Sequence, residues 1–185
     1  MNAVSSSGSS LGDLATGAIV SVAIGDHAVA FASEGQPVVL IDIGDAPDVF
    51  AATEAAVSPR WTWWSNRTAL NIIEWGVRPA KCWDLSAAHR LLFGGWRCGP
   101  DQIWARLHDL DVASIPHRMP VNLFNQALDA GDLDEPIGPD GHLRPEWVDG
   151  DWSKSSAQVA SWAETALAMQ QLQSRYIVDL GHGPQ

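Results

Sequence analysis

The sequence predicts an α/β fold in which a mixed β-sheet is flanked by helices. Two observations predict it: three β-rich runs follow one another with short connections, and helical and β-rich segments alternate after them. Strands joined by tight turns pair antiparallel, whereas a strand that returns after a helix usually pairs parallel. Apolar residues make up 46% of 185 residues, enough to form the core of one domain.

Three predicted strands begin the β-rich part of the chain. They cover residues 18–24, 27–33 and 37–43. Gly25-Asp26 is a two-residue connection typical of a tight hairpin, and the second connection is nearly as short. We therefore expect a three-stranded antiparallel meander.

Helices and short strands alternate after the meander. The predicted order is a helix at 47–57, a strand at 60–64, a helix at 67–75, an extended segment at 77–83, and helices at 85–93 and 100–110. Pro59 stops the first helix, and Ser65 or Asn66 can cap the second. Gly76 suits the left-handed position after that helix, and Asp84 is the predicted N-cap of the next one.

Tryptophan is unusually frequent, with ten in the chain. On the predicted strand at 60–64, Trp61 and Trp63 fall on one face and Trp64 on the other. An indole ring buries a large apolar area, so core packing is the favoured interpretation. Stacking on nucleic-acid bases is the alternative, but a formal net charge of −11 disfavours it.

Residues 112–153 differ in composition from the rest of the chain. Pro, Gly and Asp dominate there, as in "LDAGDLDEPIGPDGHLRPEWVDGDW". Such a composition predicts a long, partly ordered excursion, mainly a solvated loop with turns. A C-terminal helix follows, because Ser155 and Gln158 have the capping-box spacing and Val159 and Leu167 lie on one apolar stripe.

The two ends of the chain are predicted to be tails. Residues 1–16 are rich in Ser and Gly and lack the basic and apolar regions of a signal sequence, so we expect a flexible lead-in. Residues 17–180 are predicted to form a single domain, and 181–185 a short tail.

Charge and cysteine content limit the partners and the compartment. The chain has 11 basic and 22 acidic residues, and a domain that grips a phosphate backbone usually has the opposite balance. We therefore expect weak DNA binding by the chain alone. Cys82 and Cys98 form no paired motif, which predicts reduced thiols in a cytoplasmic protein, and no apolar run reaches the ~18 residues of a membrane span.

The predicted element order, β-β-β-α-β-α-β-α, narrows the fold. Ribonuclease-H-like folds share this order, and they include the proofreading 3′–5′ exonucleases. The inference concerns topology only, because one fold can host many activities.

One long segment carries a more specific resemblance. "NIIEWGVRPAKCWDLSAAHRLLFGGW", residues 71–96, resembles the exonuclease-type domain of family A DNA polymerases, especially the actinobacterial proteins described as bifunctional 3′–5′ exonuclease/DNA polymerase. "DGHLRPEWV" and the closing helix are also similar, so the resemblance covers roughly 59–180. It implies a polymerase domain of the same or a longer chain as partner, with DNA contacted indirectly. Residues 181–185 would lead toward that polymerase domain, which this chain lacks.

The resemblance also implies where metal ligands should lie. Such exonucleases use two metal ions held by four carboxylates: an Asp-x-Glu pair on the first strand, one acid at the start of a central helix and one in the last helix. The corresponding positions here are uncharged: Ser21 and Ala23 or Val20 and Val22 on the strand, Thr68 at the helix start, and Gln158 and Trp162 in the last helix. Uncharged side chains of this kind cannot gather two divalent cations.

We therefore expect a degenerate, inactive exonuclease-like domain, with no cofactor, that acts as a structural or docking module in DNA replication or repair. The alternative is an active proofreading 3′–5′ exonuclease that binds Mg²⁺ or Mn²⁺ through Asp42, Asp84 and Glu164. A third possibility is a stand-alone binding protein unrelated to replication.

A zinc site and a hydrolase site are two further possibilities, and the spacing of their residues disfavours both. Cys82, His89 and Cys98 could in principle bind zinc, but the paired-cysteine pattern of zinc sites is missing. Ser86 lies three residues before His89, but "SAAH" supplies neither the nucleophile elbow nor the oxyanion hole of a hydrolase.

Overall fold

The computed structural model describes residues 11–96, 98–117, 135–150 and 154–181. Within them, a five-stranded mixed sheet is covered by helices on both faces, which confirms the predicted α/β class. The strands are β1 (Ile19–Ile24), β2 (Ala28–Ala32), β3 (Val39–Asp42), β4 (Arg60–Trp63) and β5 (Lys81–Asp84).

The strand order in the sheet is β3-β2-β1-β4-β5. β1 pairs antiparallel with β2, and β2 pairs antiparallel with β3, so the predicted meander is confirmed. β4 pairs parallel with β1 and β5 pairs parallel with β4, because each of these strands returns after a helix. The sheet therefore has an antiparallel half and a parallel half that meet at β1.

In the described part of the chain, six α-helices and three short 3-10 helices accompany the sheet. The α-helices are α1 (Ala46–Val57), α2 (Asn66–Glu74), α3 (Leu85–Phe93), α4 (Pro100–Leu107), α5 (Pro145–Asp149) and α6 (Ser156–Asp179). The 3-10 helices are Leu11–Asp13, Ile43–Asp45 and Val112–Ser114. Two predicted caps are confirmed: the Asp84 carboxylate accepts from the Ala87 N–H, and Ser155 and Gln158 form a capping box. Although α6 has 24 residues, the described part of the chain contains no helix both long and apolar enough to cross a membrane.

The first face of the sheet packs against α1 and α2 through large aromatic side chains. The ring centroids of Phe50 lie 5.0 Å from Phe31 and 4.8 Å from Trp61. Trp61 is fully buried, and its indole N–H donates to the Glu54 carboxylate at 2.7 Å. Trp61 and Trp63 lie in this cluster and Trp64 in another, which confirms both the predicted alternation and the core-packing interpretation.

The second face of the sheet packs against α6 through small side chains. The residues that form this interface are Ala23, Ala30 and Ala32 of the sheet and Val159 and Ala163 of α6. Gly25 follows β1, and a Cβ atom at this position would lie only 2.6 Å from Val159 Cγ2. Small residues therefore allow the long helix to approach the sheet closely.

Helices α3 and α4 form a further layer against α6. Their shared core contains Trp64, Leu85, Ile103, Trp104, Leu143, Ala166 and Met169. Gln173 of α6 joins the layer to the sheet, because its side-chain oxygen accepts from the Trp83 indole at 2.8 Å and its amide donates to the Leu85 carbonyl at 3.0 Å.

The prediction that residues 1–16 form a flexible lead-in is wrong for the part that begins at Leu11. Leu11–Asp13 form a 3-10 helix, and Leu11 is buried in the first-face core with Leu14 packed beside it. The two leucines bury apolar area that outweighs the Ser/Gly background of the segment. Residues 1–10 lie outside the described part of the chain.

The solvated-loop interpretation of 112–153 is wrong for part of the residues that the structure describes, although the turns at 139–142 agree with it. Ile115, Leu143 and Trp147 are each less than a tenth exposed, and α5 forms within the segment. A bridge joins Ile137 to Leu143. Bulky apolar side chains between the turn residues anchor this stretch against α4 and α6. Residues 118–134 and 151–153 lie outside the described part.

Candidate functional site

A cavity of about 710 Å³ opens at the carboxyl ends of β1 and β4. These strands are parallel neighbours, and β1 also begins the antiparallel half of the sheet. Open α/β sheets commonly bind ligands at the carboxyl ends of strands where the sheet changes direction. The start of α2, the end of α5 and the first turns of α6 complete the walls, and we call this space the central cavity.

Three tryptophans form the apolar wall of the central cavity. Trp64 and Trp162 stack with ring centroids 4.6 Å apart and an interplanar angle of 23°, and Trp147 lies 5.5 Å from Trp162. The Trp64 indole N–H also donates to the Trp162 carbonyl at 3.4 Å. Trp64 and Trp147 are buried. The stack fixes the start of α6 against the ends of β4 and α5.

The polar wall carries charges of both signs. Lys154 Nζ lies 2.9 Å from the Asp26 carboxylate, so these two charges offset each other. Arg67 and Thr68 line the cavity from the first turn of α2, and Asp149 lines it from the end of α5. Among the described lining residues there are two acids and two bases. The lining is therefore not the acidic environment that concentrates divalent cations.

Several of the positions that the resemblance marked as metal ligands lie around the central cavity. Ala23, Thr68 and Trp162 all line it. Ser21 is fully buried on β1, on the same face as Ala23, which packs against α6. Val20 and Val22 pack in the first-face core, although Val22 also lines the cavity. Gln158 is buried in the first turn of α6 and is not among the lining residues. The structure thus brings the marked strand, helix-start and last-helix positions together, with uncharged side chains at each.

The alternative metal ligands do not converge, so the set of Asp42, Asp84 and Glu164 is wrong as a site. β3 and β5 are the two edges of the sheet, so Asp42 and Asp84 are separated by four inter-strand steps, about 19 Å. Glu164 is exposed on α6 beside the β2–β3 turn, at the other end of the sheet. Two catalytic metal ions lie only about 4 Å apart and need shared ligands.

Asp42 and Asp84 have local roles in backbone capping. Asp42 Oδ1 accepts from the Gly44 N–H at 2.8 Å, at the start of a 3-10 helix. Asp84 accepts from the Ala87 N–H at 2.8 Å and from the Trp63 indole at 3.2 Å. Carboxylates used in this way stabilise the first turn of a helix.

The cysteine, serine and histidine constellations do not assemble into a reactive site. In the described residues, no three His, Cys, Asp or Glu side chains are placed to hold a metal ion. The Ser86 hydroxyl lies 2.9 Å from the Trp64 carbonyl and 2.8 Å from the Cys98 carbonyl, so backbone groups satisfy it. Burial raises the pKa of the Cys98 thiol, and that of Cys82 as well, opposite to the shift of a reactive cysteine.

Sequence reasoning missed several residues of the central cavity, among them Trp147, Asp26 and Lys154. Trp147 belongs to the Pro/Gly-rich stretch, where the sequence predicted a solvated loop. Asp26 was assigned only a turn role, and Lys154 no role, because their ion pair joins positions 128 residues apart. A tryptophan within a turn-rich stretch was the one available signal, since such a large apolar side chain rarely stays in water.

Comparison with known proteins gives information on the fold. No protein-family model matches the chain, and no curated protein matches it. A solved structure described as "Crystal structure of protein from Bifidobacterium adolescentis" is similar, with a TM-score of 0.50 and 18% sequence identity. The alignment covers 96% of this chain but only 43% of that one, so the present chain corresponds to less than half of that protein. Likeness at this level of identity is evidence for the α/β fold alone.

Proposed function

We propose that the chain is a degenerate exonuclease-like domain of a family A DNA polymerase, with a ribonuclease-H-like fold. It does not hydrolyse DNA and serves in replication or repair as a structural or docking module for a polymerase domain of the same or a longer chain. One observation carries the proposal: Ala23, Thr68 and Trp162 occupy the marked carboxylate positions around one cavity.

The sheet supports the fold part of the proposal. An antiparallel meander comes first in the chain, and two parallel strands are then added beside β1. This is the arrangement that the order β-β-β-α-β-α-β implies for a ribonuclease-H-like fold. The resemblance of residues 71–96 to the polymerase family supports the same assignment.

The chemistry of the central cavity supports the loss of hydrolysis. Hard divalent cations need several oxygen ligands, and two of them need clustered carboxylates. Here the stacked rings of Trp64 and Trp162 occupy the inner wall, and Lys154 offsets the charge of Asp26. A cation placed between them would lose its hydration without gaining enough oxygen ligands.

The charge of the chain supports a docking role rather than direct DNA binding. A formal net charge of −11 repels a phosphate backbone, so DNA would be contacted through the partner. Cys82 and Cys98 are both free, which suits the cytoplasm, where replication proteins work.

A nuclease assay tests the proposal. The purified chain is incubated with 3′-labelled single-stranded DNA and Mg²⁺ or Mn²⁺, beside a proofreading exonuclease that keeps its four carboxylates. We expect no nucleotide release above the protein-free blank. If nucleotides are released, Asp26→Asn and Asp149→Asn test whether the cavity is responsible, and Asp42→Asn, outside the cavity, is the matched control. Loss of release in either cavity variant, with release intact in the control, would establish an active exonuclease and overturn the proposal.

A binding assay tests the docking part separately. The chain is mixed with a family A polymerase domain from the same genome and examined by sedimentation velocity. A one-to-one complex supports the docking role. Two independently sedimenting species at every concentration would contradict it, whatever the nuclease assay gives.

A further inference from the structure

A second concave surface lies between the end of α3 and the helix α4. It encloses about 390 Å³ and is lined in part by His89, Phe93, Trp96, Gln102, Arg106 and Val112. We call it the α3–α4 groove. We infer that this groove docks a short segment of a partner protein that presents an apolar side chain next to a carboxylate.

The apolar part of the groove is exposed to an unusual degree. Trp96 is 98% exposed, although tryptophan has the largest apolar area to bury. Gly94 and Gly95 precede it with φ of 72° and 90°, a backbone conformation that suits glycine and that ends α3 at Gly94. Tryptophan is also among the residue types that most often dominate the binding energy of protein interfaces.

The polar part of the groove favours a carboxylate. The Arg106 guanidinium is exposed and lies 5.7 Å from the Phe93 ring centroid. His89 is 5% exposed, and its Nδ1 atom has no hydrogen-bond partner among the residues that the structure describes. Burial and the nearby Arg106 charge lower the pKa of His89, so its ring is neutral at physiological pH and Arg106 carries the positive charge of the groove lining.

The charge of the lining supports the same ligand chemistry. Among the described residues that line the groove none is acidic, although acidic residues outnumber basic ones two to one in the chain. Arginine binds a carboxylate through paired hydrogen bonds. A neighbouring apolar side chain would cover Trp96 and exclude water from that pair, which strengthens it.

A protein segment fits this groove better than a nucleic acid or a second copy of the chain. A phosphate backbone would bring many negative charges against a protein of net charge −11, and a second copy would bring eleven more. A single carboxylate beside an apolar residue meets only the local charge of Arg106. The inference does not rest on the proposed function, because activity in the central cavity would leave the groove unchanged.

A peptide selection tests the inference. A random-peptide display library is selected on the full chain, and the enriched peptides are synthesised and titrated by fluorescence anisotropy. We expect peptides that pair an aromatic or aliphatic residue with Asp or Glu. Trp96→Ala and Arg106→Glu should each weaken binding by at least about tenfold.

Matched control variants distinguish peptide binding in the groove from a general effect of changing the protein surface. Leu70→Ala removes an apolar side chain that is 56% exposed on α2, and Arg60→Glu reverses an exposed charge on β4, both outside the groove. Both variants should bind the peptides as the wild type does. If Arg106→Glu does not fold, Trp96→Ala decides, because its fully exposed side chain contributes little to the core.

Several results would overturn the inference. These are no enrichment of peptides, equal binding by Trp96→Ala, or equal binding by a peptide whose Asp or Glu is replaced by Asn or Gln. Binding of a single-stranded oligonucleotide that Trp96→Ala abolishes would assign the groove to nucleic acid instead. Self-association that Trp96→Ala abolishes would assign it to a second copy.

Discussion

The two faces of the sheet are packed in opposite ways. The first face meets α1 and α2 with bulky rings such as Phe31, Phe50 and Trp61, whose contacts fill the space between the layers. The second face meets α6 with alanines, so the helix lies close to the sheet. The first face gains its stability from buried area, whereas the second depends on close fit and on a few hydrogen bonds.

The second face also differs from the first in the polar side chains that it buries. Ser21 and Thr62 are paired across β1 and β4, are fully buried, and have hydroxyls without a hydrogen-bond partner among the described residues. Gln173 is equally buried, but both ends of its amide are bonded. The central cavity opens where the second face ends, so the face that buries these unbonded hydroxyls is also the one that leads to the candidate site.

Removing a ring from the first face should have the largest effect. Trp61→Ala deletes a fully buried side chain together with its hydrogen bond to Glu54, and we expect a loss of about 3–5 kcal/mol in the free energy of unfolding. The free energy of unfolding is measured by urea titration, with circular dichroism as the signal. Trp96→Ala is the control and should change stability by less than about 0.5 kcal/mol. Equal effects of the two variants would contradict the assignment of Trp61 to the core.

Adding one methyl group to the second face should cost less, but it tests the close fit directly. Gly25→Ala places a Cβ 2.6 Å from Val159 Cγ2, and overpacking of this kind costs about 1–3 kcal/mol. Val159→Ala removes the opposing methyl groups, so the double variant should recover part of the loss relative to the sum of the single changes. Strict additivity in the double-mutant cycle would show that α6 does not approach Gly25 so closely.

On the second face, removing a hydrogen-bonded polar side chain should cost more stability than removing one that makes no hydrogen bond. Gln173→Ala leaves the Trp83 indole and the Leu85 carbonyl without partners, for a loss of about 1–3 kcal/mol. Ser21→Ala removes a hydroxyl that has no hydrogen-bond partner within the described ranges, and it should be neutral or slightly stabilising. Urea titrations of both variants make the comparison, and a larger loss for Ser21→Ala than for Gln173→Ala would contradict it.

The smallest expected effect is a pH dependence from His89, in the layer beyond the second face. Burial lowers the pKa of His89 below its ordinary value of about 6.5, so the unfolded state binds more protons in the interval between the two values. The contribution to stability is therefore present above pH 6.5 and is lost as the pH falls through that interval. Thermal unfolding at several pH values should show this slope, and His89→Gln should flatten it. An unchanged slope in the variant would assign the titration elsewhere.

Much of the fold could be predicted from local patterns. The hairpin turn at Gly25-Asp26, the cap at Asp84 and the capping box at Ser155 each depend on neighbours within a few residues, and the structure has all three elements. Burial of Leu11 and Trp147 could not be predicted in the same way, because the sequence around them is rich in Ser, Gly and Pro and their packing partners are distant along the chain.

The candidate site was predictable only in part. Of the positions that the resemblance marked, Val22, Ala23, Thr68 and Trp162 line the central cavity. The other marked positions, Val20, Ser21 and Gln158, are buried and do not line it. The alternative set around Asp42 and Asp84 failed because the sequence does not show that β3 and β5 become opposite edges of the sheet. Strand order is a long-range property that spacing along the chain does not encode.

Manganese binding tests the loss of the metal site most directly. Crystals of the chain are soaked in Mn²⁺ and the anomalous scattering is measured, because manganese is an oxygen-preferring ion that suits carboxylate sites. We expect no anomalous peaks in the central cavity between Ala23, Thr68 and Trp162. Two peaks there about 4 Å apart, the spacing of a two-metal nuclease centre, would contradict the proposed function.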